Sequence, residues 1–391
     1  MKIIQVHNYY QYSGGEDIVV KNEYELLKAY NHTVLQYTTN NSEIKGYNLL
    51  DKTNLIINAT FSKKTYDVLT ELFKKEKPDV CHVHNTFPLI TPSVYYACKD
   101  AKIPVVQTLH NYRLLCSNAY FFRNGKVCEE CMGKSLFISL KYGCYRNSRI
   151  QTFILARMIE YYKRFDAWNM LIDKYIVLTE FSKKKFIQGG LFSEKIFVKP
   201  NFLLNDPGFD YGTQKYFLFA GRLDVTKGIN VLTEALKKIP EDIELVVAGD
   251  GMLKNNVINI KGIKYLGQLN HMQLLMKLKE AIALIFPSLV YETFGMIIVE
   301  SFACGKPVIA SNLGAAAEFI KPGKTGLLFE AGNSEELSKE MEWAYRHPEE
   351  MKRMGMNARK EYEEKYTAER NYKMLMGIYT NLRESVVKTS Q

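Results

Sequence analysis

Cysteine is scarce, with seven in 391 residues, far below the density of a disulfide-stapled scaffold. No apolar run approaches the length that spans a bilayer; the densest, Ala281 to Phe286, is cut by Pro287. The opening Met1-Lys2-Ile3-Ile4-Gln5-Val6-His7 has a strand pattern and lacks the basic region and long apolar core of a secretory signal. These shortages predict a cytoplasmic protein. Fixed-period repeats and low-complexity stretches are also missing, which excludes a solenoid and a disordered chain. There is no Asp-x-Asp pair of the kind that holds a metal–diphosphate. Acidic side chains are in the minority, 42 against 52 Lys and Arg, for a net charge of +10. That balance suits an anionic partner. No nucleic-acid module accompanies it, so nucleic acid is not expected as the partner.

What is present is an ordinary globular composition, 47% hydrophobic and 24% charged, enough for two cores. Short apolar runs at Ile3–Val6, Val80–Val83, Val105–Leu109 and Tyr175–Leu178 read as strands. Helical stretches lie between them, beginning with Ile18–Tyr30. A cluster of Pro, Gly, Asn and Asp follows Lys199-Pro200-Asn201 and marks a linker. The alternation then restarts. Strands are expected at Tyr216–Ala220, Ile243–Ala248, Ile263–Leu266, Ala283–Phe286 and Val308–Ala310, and helices at Gly228–Lys238, Met272–Lys279 and Phe294–Cys304. From Ser334 onward the pattern is helical. Near-continuous apolar strands alternating with helices belong to parallel sheets covered on both faces. The predicted class is α/β: two doubly wound Rossmann-like domains facing a cleft, spanning 1–200 and 213–366 with a linker at 201–212. Ligands of such sheets bind outside the carboxyl ends of the strands.

Four segments carry candidate chemistry. In Tyr291-Glu292-Thr293-Phe294-Gly295-Met296-Ile297-Ile298-Val299-Glu300, the spacing of Glu292 and Glu300 puts them about two helical turns apart. A helix N-terminus there offers N–H groups and partial positive charge to a pyrophosphate. Glu300 could then accept from ribose hydroxyls; the plainer alternative is a surface carboxylate, which the flanking Ile297, Ile298, Val299 and Phe302 disfavour, since a buried carboxylate needs a partner. In Ala220-Gly221-Arg222-Leu223-Asp224-Val225-Thr226-Lys227-Gly228, two cations share one loop after a strand, suited to phosphate oxygens. Ser13-Gly14-Gly15-Glu16-Asp17 can bring backbone amides against a phosphate or sugar, though a plain tight turn fits as well. Thr108-Leu109-His110-Asn111 puts His110 at a strand end; a satisfied core histidine is the plainer reading, and His82 and His84 are read as structural.

Together these segments resemble the retaining family 4 glycosyltransferases of GT-B fold. Ala248-Gly249-Asp250-Gly251 and Gly305-Lys306-Pro307-Val308-Ile309-Ala310 add to the likeness, which runs throughout Phe217 to Asn333 and is looser in the N-terminal half. The resemblance implies a nucleotide-sugar-binding C-terminal domain and an acceptor-side N-terminal domain, with a helix at 367–391 crossing back. It implies that Arg222 and Lys227 bind the donor diphosphate, that Glu300 holds the ribose, and that Glu292 contacts sugar hydroxyls. The backbone at Phe294 and Gly295 would meet sugar and phosphate, Gly251 would join the donor-binding set, and Gly14 and Gly15 would approach the phosphate. His110 would lie beside the transferred sugar. The donor would be a UDP- or GDP-sugar and the acceptor a glycan or lipid-linked glycan, as in surface polysaccharide synthesis. No catalytic metal is expected, because two cations and a helix N-terminus can stabilise the departing diphosphate. A sugar-nucleotide epimerase of the same fold, or a non-catalytic nucleotide-sugar sensor, is the alternative.

Cys116, Cys128, Cys131 and Cys144 fall in a basic insert, 113–149. The Cys128-Glu129-Glu130-Cys131 spacing is that of a thiolate metal knuckle, and the four thiols could complete a structural zinc site; plain packing cysteines or a redox role are the alternatives. Basic residues from Lys134 to Arg164 alternate with aromatics such as Phe137, Phe153 and Tyr161. This pattern suits peripheral contact with the inner face of an anionic membrane, or a solvated helix packed on the N-terminal domain.

Overall fold

The computed structural model describes residues 1–11, 14–212 and 215–389, with side chains to 384. Ser13 of the Gly-Gly segment, the first two residues of the predicted second domain (213–214) and the end of the predicted terminal helix (390–391) lie outside the described residues. The chain forms two units. The first comprises Met1–Ala119, Glu129–Lys199 and Asn371–Gln391; the second comprises Tyr120–Cys128 and Pro200–Arg370.

The first unit carries six strands: β1 (Lys2–Tyr9), β2 (Thr33–Asn40), β3 (Val80–Val83), β4 (Val105–Thr108), β5 (Lys174–Val177) and β6 (Ile196–Val198). Their order is β2-β1-β3-β4-β5-β6, all parallel. Strands β3 and β4 are buried at every position, as the apolar runs require. Edge strand β2 has no apolar run and was not legible; its residues alternate between exposed and partly buried. Helix α1 (Gly15–Ala29) begins three residues before the predicted start, because Gly14 takes the extended N-cap position and Asp17 bonds back to the Gly14 N–H. The core joins Ile3, Leu27, Val80, Val106 and Ile176 to Leu375, Ile378, Tyr379 and Leu382. Those last four sit on the long helix Ala368–Thr389, so residues 371–384 complete this core.

The second unit has strands β7 (Tyr216–Ala220), β8 (Leu245–Ala248), β9 (Ile263–Gly267), β10 (Ala281–Phe286), β11 (Val308–Ser311) and β12 (Gly326–Phe329). The order is β9-β8-β7-β10-β11-β12, all parallel. The chain builds outward from β7 to β9, then returns to place β10 beside β7. That reversal is the topological switch point of a doubly wound sheet, where ligands bind. Two helices matter for the site: α2 (His271–Glu280), capped by the Asn270 side chain, and α3 (Met296–Ala303). Arg359 pins the stretch after Pro200 to this unit, reaching Asp206 at 2.7 and 2.5 Å and the Ala303 carbonyl at 2.7 Å.

Candidate active site

In the second unit the loops leaving β7 and β10 flank the switch point, and they are locked together. Gly228 is left-handed (φ 73°), and a methyl group there would come within 1.8 Å of the Pro287 carbonyl oxygen. Only a glycine allows so close a crossing. The Leu289 N–H donates to the Thr226 carbonyl at 2.8 Å. The contact brings Lys227 to Glu292, with Nζ 2.5 Å from Oε1. Ser288 Oγ donates to the same Oε1 at 2.8 Å. Both charges are part-buried, with side-chain exposures of 24% and 16%.

Asp224 organises the turn that carries the cations. Its carboxylate accepts from Thr226 Oγ1 at 2.5 Å and from the Lys227 N–H at 3.2 Å. Arg222 lies 3.1 Å from its second oxygen, with 60% of the guanidinium side chain in solvent. Gly251 sits on the neighbouring loop, where the Leu223 N–H donates to the Asp250 carbonyl at 2.9 Å. The loop from β10 ends at Gly295, left-handed at φ 93°, and α3 starts one residue later. The first N–H groups of a helix have no intrahelical acceptor. Phe294 turns its ring inward against Phe319 and Tyr366, leaving its backbone at the loop.

One sequence expectation needs correcting. Glu292 lies in the loop four residues before α3 and Glu300 is the fifth residue of the helix, so a loop–helix placement of the pair holds but the expected two-turn spacing on related faces does not. The left-handed Gly295 interrupts the periodicity. Glu300 Oε1 is held by His271 Nε2 of α2 at 3.1 Å, and that bond raises the histidine pKa above its usual value. Asp224, Ser288 and His271 escaped the sequence reading. Asp224 lay inside the quoted motif as an N-cap, a residue type with a recognisable capping role.

The first unit's candidate residues form a different kind of site. Gly15 opens α1, exposed, and Asp17 bonds His7 Nε2 at 2.8 Å. His110 follows β4, half-buried, with Nε2 3.0 Å from His84 Nδ1. His82 and His84, read as structural, lie in a buried polar cluster. Glu23 of α1 accepts from Lys199 Nζ at 2.7 Å, and Asn371 Oδ1 accepts from the same ammonium at 3.2 Å. His82 bonds Thr108 Oγ1 and Tyr379 OH, each at 2.7 Å. Ligand atoms of Glu23, His82 and His84 all lie within 4.8 Å of one another. Burial pushes His82 down to about 4, with Glu23 opposing and Lys199 adding to the shift. Burial and the neighbouring cations and imidazoles hold His84 and His110 well below the ordinary histidine value.

The cysteines sit on irregular backbone. Cys116 is buried, its Sγ donating to Asn118 Oδ1 at 3.0 Å, and Cys128, Cys131 and Cys144 are partly exposed. The Cys128 N–H closes a small hairpin onto the Phe121 carbonyl at 2.7 Å. No helix of the described residues is long and apolar enough to cross a membrane.

Two units with parallel sheets, the second with its loops locked at the switch point, define the class as α/β and of GT-B type. Residues 206–361 match the family described as glycosyl transferases group 1, and residues 18–203 match glycosyltransferase family 4. The chain therefore belongs to the group 1 glycosyltransferases of GT-B fold. An uncharacterised glycosyltransferase of Methanocaldococcus jannaschii is 27% identical over 97% of both chains. The O-antigen chain mannosyltransferase C of Escherichia coli is 27% identical over 44% of this chain and 47% of its own length. Among solved structures, sucrose-phosphate synthase from Thermosynechococcus elongatus superimposes with a TM-score of 0.71 at 16% identity, covering 98% of this chain and 99% of its own. Anabaena HepE in complex with UDP and glucose gives 0.64 at 18% identity, covering 100% and 99%. At these identities the likeness is one of fold.

Proposed function

We propose that the protein transfers a hexose, with retention of anomeric configuration, from a nucleoside-diphosphate donor to a glycan or lipid-linked glycan. The observation that carries this reading is the pairing of Lys227 with Glu292 across the strand-order reversal of the second unit. The bond to be broken leaves negative charge on the diphosphate and positive charge on the sugar ring. Lys227 and Arg222, with the N–H groups at the start of α3, face the first charge without need of a divalent ion. Lys227 leaves Glu292 for the phosphate oxygens as donor binds, and Glu292 turns to the sugar hydroxyls. Glu300, preset by His271, takes the ribose. Gly251, and the backbone at Phe294 and Gly295, lie along the same donor. Gly14, Gly15 and His110 serve the sugar side from the first unit. The incoming hydroxyl attacks on the face the phosphate leaves and gives its proton to the leaving phosphate oxygen. The donor is read as a UDP- or GDP-sugar; HepE crystallised with UDP supports the first of these, and a relative named an O-antigen chain mannosyltransferase supports a role in surface polysaccharide synthesis.

We also propose a structural zinc on Cys116, Cys128, Cys131 and Cys144, and peripheral contact of the basic, aromatic Lys134–Arg164 stretch with a membrane's cytoplasmic face. Elemental analysis of purified protein tests the first: one zinc per chain is expected, and none overturns it. Sedimentation with anionic vesicles tests the second: binding lost above physiological salt is expected, and no binding overturns it.

The donor is tested by a thermal-shift screen with UDP, GDP and their sugars, since a bound ligand raises the melting temperature by mass action. A shift with one nucleotide class, followed by sugar transfer to an acceptor, is expected. Conversion of the donor with no acceptor present would make the protein an epimerase, and no shift with any nucleotide would remove the donor reading.

A further inference from the structure

The helix Leu49–Asn58 starts in a capping box: Asn48 accepts from the Asp51 N–H at 2.9 Å, and Asp51 accepts from the Asn48 N–H at 3.2 Å. None of its ten residues is buried. At about 100° per residue, Leu49, Leu50, Thr53, Ile56 and Ile57 share a stripe about 120° wide. The opposite side carries Asp51 and Leu55, the two residues of this helix that are partly covered, so the stripe faces solvent. Leu49 is 80% exposed and Leu50 75%. A surface helix of a globular domain turns its apolar stripe to the core. This one turns it outward, and its four aliphatic side chains contribute nothing to the core of the first unit.

The helix Arg149–Arg164 continues the surface. Its inner face packs through Leu155, Ile159 and Tyr162. Its outer face, again about 120° wide, carries Arg149, Arg157 and Arg164 among Ile150, Phe153 and Tyr161, all exposed. The two helices meet: Arg157 Nη2 donates to the Ile56 carbonyl at 3.4 Å, and Tyr162 OH donates to the Thr60 carbonyl at 2.5 Å. The aliphatic stripe and the arginine–aromatic face are therefore neighbours within the first unit.

Single exposed apolar side chains are ordinary, whereas a contiguous patch rimmed by charge marks an interaction surface. We propose that this surface docks on an anionic lipid bilayer. The helix Leu49–Asn58 lies in the plane of the interface, with Leu49, Leu50, Ile56 and Ile57 against the acyl chains and the three arginines at the headgroup phosphates. Aromatic rings and arginine stems, apolar along their length and polar at the tip, suit that depth. The docking deepens the membrane contact proposed above and rests on it: the basic stretch supplies the charge, and a separate short helix enters the lipid. A second copy of the chain is a poorer occupant. A two-fold contact sets a patch against itself, which here opposes three arginines to three.

The test uses the full chain and vesicles of equal parts phosphatidylglycerol and phosphatidylcholine at low ionic strength. L50S/I57S removes aliphatic area from a surface that packs on nothing. It should lower the vesicle partition coefficient at least about tenfold, with the melting temperature unchanged. The L50W variant should be quenched by brominated acyl chains more than wild type is, since Trp168 is buried and Trp343 belongs to the second unit. Undiminished binding of L50S/I57S, or no added quenching in L50W, overturns the proposal while contact through the basic stretch stands. Absence of wild-type binding overturns both. A wild-type dimer in solution that L50S/I57S dissociates overturns the proposal in favour of a self-interface. None of these measurements uses sugar transfer, so the transferase reading stands or falls separately.

Discussion

The two units share an architecture and use charge in opposite ways. In the second unit the ionic groups lie at the loop ends of the switch point, partly in water: Arg222 is 60% exposed and Lys227 24%. Their partners are close in sequence or on the adjoining loop. In the first unit Glu23, Lys199, His82 and His84 lie beneath the surface, with partners drawn from far along the chain. Exposed, loosely paired charges can be lent to a ligand. Buried, fully enclosed ones cannot leave, and they serve by fixing geometry. The first arrangement suits binding and chemistry; the second suits preorganisation.

The largest expected effect breaks the second unit's side of that contrast. Lys227→Ala should lower kcat roughly a hundredfold to a thousandfold, as removal of a transition-state donor does, while the melting temperature stays near wild type. Steady-state kinetics with the true donor and acceptor reads it, and near-normal kcat would remove Lys227 from the chemistry.

Acid stability sharpens the contrast, because histidines in the two units shift in opposite directions. His82 is depressed from 6.5 to about 4, so the unfolded chain takes up a proton that the native state refuses. Stability therefore falls as pH drops from about 6.5 towards 4, by on the order of 3 kcal/mol for this group. His84 and His110 act in the same direction. His271 is raised by Glu300, and its contribution is present at low pH and lost as pH rises through its folded value. Calorimetry across this range should show the first unit weakening in acid, and H82Q should flatten that dependence.

Glu300→Ala should act mainly on KM, by roughly tenfold to a hundredfold, because a hydrogen bond to a charged group contributes about 1.5–3 kcal/mol and the ribose contact exists in ground and transition states alike. A loss confined to kcat would move Glu300 out of ribose binding. The smallest effect belongs to His271→Asn. An exposed pair contributes about 0–1 kcal/mol, so donor affinity should fall a few-fold at most, and more below the histidine's pKa than above it.

Local order was legible in the sequence where local rules govern. The run Tyr216–Ala220 matches a strand to the residue, because a fully buried parallel strand leaves a continuous apolar signature. Thr33–Asn40 left none, being an edge strand in which Thr, Gln and Asn break up Val34, Leu35 and Tyr37. Arg222, Lys227, Glu292 and Glu300 stood out through strand-end position and spacing. Glu23 and Lys199 did not, since their partnership spans 176 residues and only the topology brings them together. The helical relation expected of Glu292 and Glu300 failed at Gly295, whose left-handed backbone no hydrophobic period reveals.

The Asn371 and Tyr379 contacts also set a timetable. Lys199 and Asn371 are 172 residues apart, which at about 5–20 residues per second is roughly 10–30 s of synthesis. Throughout that interval the first unit has been translated, yet it lacks the helix carrying Leu375, Ile378, Tyr379 and Leu382 that closes its core. The half of the protein made first is thus completed after the half made second. A ribosome paused between residues 200 and 370 displays an unfinished apolar sheet face, the kind of surface for which chaperones exist.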